Sequence, residues 1–399
     1  MNQLWAITKG TFLQSVRQPV FGIIVLVMLG GIALAPTMTG WTLDDDNKML
    51  RDIILSTLLL QGLVLACFAA SGVLDAEIED KTVLTVAAKP IQRSTFILGK
   101  YFGLLGSLAA AHYLACIAFF MCMRHGVLQT AAEKSDVTVL ILGPGVMLAV
   151  MVAAGVLNFI YGWRFLPTVV NLAIPALTVG AVILLVVDRD FKFAVYETTQ
   201  DIGPLPEVAG KSGVLKDIVE FRPADAGPAL AGHEGQLVRS NWKGPISDED
   251  RAYLLSLVDD VQWRKNVNYL VKKTREVQGF ELIKASALIF GAIGMMAAVA
   301  LAAATRLPIV PTLLLNFAVV ILGLISDQSI RPLAETGRRW AAIVYRIIPN
   351  FQVFWMVDAL EESRLIPLNY VFASLGYSAL FSLAFVLLAM SLFETRELG

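Results

Sequence analysis

Eight stretches of this chain run for about 18 residues or more without a single Asp, Glu, Lys or Arg, at about 19–37, 53–74, 101–123, 138–160, 165–187, 285–304, 307–326 and 369–392. As helices, runs of that length reach across the ~30 Å hydrocarbon core of a bilayer, where one central charge would cost roughly 2.5–3.5 kcal/mol. Composition agrees: of 399 residues 56% are hydrophobic and 16% charged, and the mean hydropathy of +0.67 is well above that of a soluble domain. The expected fold is an all-α polytopic membrane protein of about eight transmembrane helices, with a small extracytoplasmic α or α+β domain. A net charge of -1 offers no basic excess for a nucleic-acid partner.

Parity and loop charge orient the helices. The first run resembles a signal peptide, but the long polar stretch before it, with Lys9 and Arg17, reads as the lead-in to a retained helix. Eight crossings put both chain ends on one side. Lys9, Arg17, Lys81, Lys89, Arg93, Lys100, Arg164 and Arg306 all fall there, so that side is expected to be cytoplasmic, in a plasma or inner membrane. Asp44, Asp45 and Asp46 fall outside. Arg338, Arg339 and Arg346 disagree, being external on this count. Their segment, "RRWAAIVYRIIPNFQVFWMVDALEES", is too interrupted to span, and its aromatics predict helices that lie at the outer interface or dip partly inward. A ninth span is the competing reading.

Three divisions follow: 1–187 with five spans and a cytoplasmic segment at 75–100, a polar extracytoplasmic insertion at 188–280, and 281–399 with three spans. The insertion opens with "FKFAVYE", whose alternation at Phe191, Phe193 and Val195 suits a short strand. Its far end is helical: Ser247 and Asp250 make a capping box, Leu254, Leu257, Val258 and Val261 continue the stripe, and Val267, Leu270, Val271 and Val277 lead toward the sixth span with an interruption near Gly279.

Catalytic and metal chemistry find little support. "AGKSG" at 209–213 lacks the first glycine of a phosphate-binding loop, since Leu205 stands there. His112, His125 and His233 lie apart, and no H-E-x-x-H, G-x-S-x-G or C-x-x-C occurs. His112, alone inside a span, reads as a hydrogen-bonded histidine on a helix interface. Cys67, Cys116 and Cys122 sit in apolar runs as small core residues. With no Asp, Glu, Lys or Arg in the middle of any span, ion coupling inside the membrane finds no buried charge to carry it, and energy for any movement is expected to enter from outside. Small residues four apart, at Gly145, Ala149 and Ala153 and at Gly294, Ala298 and Ala302, permit close helix approach within the chain or across a dimer seam.

The least membrane-like passage of the first half is "EIEDKTVLTVAAKPIQRSTFILGKYFG", residues 77–103. Val83, Leu84, Val86 and Ala87 recur at helical spacing, Glu77, Glu79 and Asp80 precede them, and Lys89 follows, in the order a helix dipole favours. Pro90 stops the helix, and Arg93, Gly99 and Lys100 lead into the third span. Such an element rests on lipid or presents itself to a soluble partner.

Glu77, Thr82, Val83, Val86, Lys89, Pro90, Ile91, Arg93, Phe96, Ile97, Gly99 and Lys100 form a pattern that resembles the ABC-2 type permeases, the membrane subunits of ATP-driven transporters. Two later passages resemble the same family: "ALAAATRLPIVPTLLLNFAVVILG", and "IIPNFQVFWMVDAL" followed by a last span ending "LFETREL". The resemblance covers about two thirds of the chain. The usual core has six spans, and this chain inserts two more at about 138–187 together with the external domain. The resemblance implies a permease subunit, without its own ATPase, that couples through Glu77, Thr82, Val83, Lys89, Pro90, Arg93, Gly99 and Lys100 to a separate cytoplasmic ABC ATPase. It implies an exporter acting as a homodimer or heterodimer, with ATP and Mg on the partner chain and no cofactor here. The alternative is a membrane-held assembly protein whose insertion at 188–280 recruits an extracytoplasmic partner without moving solute.

Overall fold

A computed structural model of the chain describes residues 2–39, 46–79, 92–127, 135–187, 191–192, 261–357, 360 and 366–394. The helices, numbered in chain order, are α1 Asn2–Arg17, α2 Pro19–Thr39, α3 Asp46–Glu79, α4 Arg93–His125, α5 Val137–Tyr161, α6 Phe165–Val186, α7 Val261–Ala304, α8 Ile309–Glu335, α9 Arg339–Ile347 and α10 Leu368–Glu394. No strand element occurs among the described residues. Eight helices are long and apolar enough to cross a membrane, and each expected run falls on one of them. The protein is an all-α polytopic integral membrane protein.

Helix ends follow local chemistry. Pro19, lacking an N–H, opens α2 after a bend at Gln18. Asp136 caps α5 by accepting from the Val139 N–H at 3.0 Å. Pro144 interrupts the α5 ladder, and the turn Ile141–Gly145 widens to a π-helix. Gly162, at φ +66°, closes α5 with its N–H on the Asn158 carbonyl at 2.9 Å, which lets Arg164 start α6 three residues beyond Tyr161. Two expectations fail. α7 runs through Gly279 without interruption, because a mid-helix glycine costs only about 1 kcal/mol and nothing there requires a turn. Phe191 takes a φ of 60°, a left-handed conformation incompatible with the strand expected to start there. Phe193, Val195 and the capping box at Ser247 lie outside the described residues.

The chain divides into two compact units: Met1–Ala194 with Ser286–Val357 and Leu368–Gly399, and Val195–Ala285 with Asp358–Pro367. Within the second, Glu281 accepts from the Ile366 N–H at 2.8 Å while Lys284 donates to the Ile366 carbonyl at 2.7 Å.

In the first unit α7 is the hub. Of the apolar window in Phe280–Ala304, 89% is buried, against 22–39% for the windows of α2, α5, α6, α8 and α10. Small residues explain the difference. Gly291 lies against Leu375 and Phe354, Gly294 against Leu105, and Ile293 fills the space left by Gly62 of α3. Polar side chains also donate to its backbone carbonyls: Tyr101 to Gly294 at 3.2 Å, Ser378 to Gly291 at 2.6 Å and Asn316 to Met296 at 3.3 Å. The α5–α6 pair packs at the edge, and its far end is tied by Arg124. That guanidinium meets Asp136 at 3.1 Å and donates to the Leu184 and Val187 carbonyls at the end of α6.

Residues 338–357 make no ninth span. α9 lies at the end of α8, and the chain after it turns back into the bundle, where Phe351 and Phe354 are each 2% exposed. Gly323 makes this possible, since any Cβ there would collide with the Pro349 carbonyl and the Phe351 ring. Phe354 packs on Tyr377 and beside Gly291.

Candidate functional site

Both described chain ends meet at one end of the bundle, beside the segment the sequence marks out. α4 begins at Arg93, two turns before the apolar run. Arg93 donates to the Glu394 carbonyl of α10 at 2.8 Å, and Phe96 stacks on Phe393 with ring centroids 5.5 Å apart. Arg306, in the tight turn between α7 and α8, donates to the Leu392 carbonyl at 2.8 Å. A helix C-terminus carries partial negative charge on its last carbonyls, so two guanidinium groups suit it.

α1 forms the other wall. Gly99 sits against Ile7, Gly103 against Thr8 and Thr11, and Gly106 against Phe12, so the two helices run alongside in the same direction. Lys100, only 2% exposed, holds its ammonium 5.3 Å from the Phe96 ring centroid. Gly99 and Lys100 therefore serve intrachain packing and are not presented at the surface, whereas Arg93 is exposed. Glu77 lies in the last turn of α3. Thr82, Val83, Lys89 and Pro90 lie outside the described residues. The described ends of the segment, α3 at Glu79 and α4 at Arg93, are parts of long helices packed into the bundle. Sequence reading missed α1 as a wall, although the four-residue spacing of Gly99 and Gly103 signals a close helix partner.

Two polar clusters lie elsewhere. Inside the spans, His112 Nε2 is 3.1 Å from the Ser286 carbonyl and 3.0 Å from its Oγ, and Cys116 Sγ is 2.9 Å from the same Oγ. Nε2 donates to the Ser286 carbonyl or accepts from the Ser286 hydroxyl according to the tautomer, while the buried Nδ1 has no partner. The histidine is, as expected, a hydrogen-bonded residue at a helix interface. At the opposite end from the termini, Asp327 accepts from Tyr345 at 2.6 Å and from the Asn350 side chain at 2.8 Å. The Asn350 N–H donates to Tyr377 Oη at 2.8 Å, and Tyr370 donates to the Val353 carbonyl at 2.8 Å. Donating to Asp327 raises the Tyr345 phenol above its ordinary value, so this tie holds through neutral pH.

No group of three His, Cys, Asp or Glu side chains among the described residues could hold a metal. Compared with family models, with curated proteins and with solved structures, the chain matches none.

Proposed function

We propose that this chain is the permease subunit of an ATP-driven, ABC-2 type exporter, paired with a like subunit and driven by separate cytoplasmic ATPases that carry ATP and Mg. Both chain ends then face the cytoplasm of a plasma or inner membrane. One observation carries the reading. One stretch from each of the three passages that resemble the family, far apart in sequence, comes to the same end of the bundle: Arg93 on Glu394, Phe96 on Phe393, and Arg306 on Leu392. Force applied to residues 80–91 would pass directly into α3 and α4, and α4 lies on the hub helix through Tyr101 and Leu105. Spans without central charge support a drive from outside the membrane.

The test is extraction of the full chain in mild detergent with identification of what accompanies it. A stoichiometric chain bearing a P-loop is expected, and Lys89→Glu should weaken its association severalfold while leaving the helical content of the permease unchanged. Recovery of the intact protein without any such chain overturns the proposal. Solute movement in vesicles on addition of ATP separates transport from a purely assembling role.

A further inference from the structure

α9 is a nine-residue helix, Arg339–Ile347, with three differently equipped sides. At 100° per residue, Trp340, Ile343 and Ile347 fall within about 60° of arc, and all three are exposed, at 53%, 58% and 66%. Arg339 and Arg346, one heptad apart, border that apolar stripe on one flank, with Arg338 at the helix start. Ala341, fully buried, and Tyr345, held by Asp327, face the protein on the other. None of the three guanidinium groups has a hydrogen-bond or ion-pair partner among the described residues, and all three residues are exposed.

Position decides what the free sides meet. α8 has 27 residues, so it is about 40 Å long and outruns the ~30 Å hydrocarbon core. α9 follows α8 after a turn at Gly337, and the chain then re-enters the bundle at Pro349. The helix thus lies at the boundary between acyl chains and headgroups, where a tryptophan is at home and an arginine finds phosphate. These arginines stand on the side where the topology expects few, and no side chain neutralises them. A soluble polyanion would have no use for the apolar stripe, and acyl chains alone none for the arginines.

We propose that α9 binds anionic phospholipid of the surrounding bilayer. Arg338, Arg339 and Arg346 receive the headgroup phosphate while Trp340, Ile343 and Ile347 lie against the acyl chains. Because Tyr345 and Asn350 share Asp327, lipid bound there bears on the segment seated in the bundle. The inference stands apart from the transport proposal.

The full chain, reconstituted in nanodiscs of phosphatidylcholine, is given acyl-brominated phosphatidylglycerol or acyl-brominated phosphatidylcholine at equal mole fraction. The Trp340 signal is the difference between wild type and Trp340→Phe. Phosphatidylglycerol is expected to quench it severalfold more strongly than phosphatidylcholine. The preference should fall stepwise as arginines are changed to glutamine, reach unity in the triple Arg→Gln variant, and persist in the triple Arg→Lys variant. Equal quenching by the two lipids, or a preference unchanged in the triple Arg→Gln variant, overturns the proposal. Abolition by inorganic phosphate at constant ionic strength assigns the site to a free anion and overturns it too. If the triple glutamine variant does not fold, the wild-type comparison decides: a preference for phosphatidylglycerol that weakens in high salt supports the site, and its absence removes it.

Discussion

Gly323 shows how much can rest on one missing side chain. The Pro349 carbonyl and the Phe351 ring occupy the place where its Cβ would stand, and the Phe351 N–H returns to the Gly323 carbonyl at 3.3 Å. Gly323→Val should therefore push the 349–354 segment outward and destabilise the protein by about 1–3 kcal/mol, as overpacking does. Thermal unfolding in detergent measures it, with Gly376→Ala, a helical glycine that meets nothing within 4 Å, as the control expected to gain up to about 1 kcal/mol rather than lose it. Asp327 supports the same segment electrostatically. Asp327→Ala leaves Tyr345 and Asn350 without their acceptor and should cost about 1.5–3 kcal/mol, more than Tyr345→Phe, which removes one of the two bonds. Equal losses in the two variants would show that Asn350 gains nothing from Asp327. None of this could be read from residue order. "IIPN" announces a break and a turn, but Gly323 and Pro349 meet only after α8 and α9 have placed them together.

At the scale of elements, the start of α4 and the end of α10 behave as one joint. Phe96 and Phe393 contribute about 0.5–1.5 kcal/mol beyond their buried area, and Arg93 adds a charge-assisted bond to the helix end. Phe393→Ala should raise hydrogen exchange in the last two turns of α10, up to Glu394, and leave the exposed middle of that helix unchanged. Faster exchange along all of α10 would mean the joint holds the helix as a whole. The joint was only half legible. The positions in α4 stand out as a pattern, yet the partner of Arg93 lies 301 residues away in sequence, and no period or propensity links them. α1 was harder still, since a helix with mixed faces reads as a polar lead-in until the glycines of α4 show what it packs on.

For the whole molecule, the contacts of Arg93 with Glu394 and of Gly99 with Ile7 place both described ends of the chain at the same end of the bundle, in keeping with eight candidate spans among the described residues. Single cysteines introduced near each should react with an impermeant reagent from the same side of sealed vesicles. Reaction from opposite sides would require an odd number of crossings. The sequence by itself determined the number, placement and helical nature of the spans, because the penalty for charge and for unpaired backbone in hydrocarbon acts on each segment locally. Only the tertiary structure decided that α7 lies at the centre, that α1 lines α4, and that 349–354 turns inward. Those choices depend on which small residues face one another, and steric complementarity between distant segments exists only once they are packed.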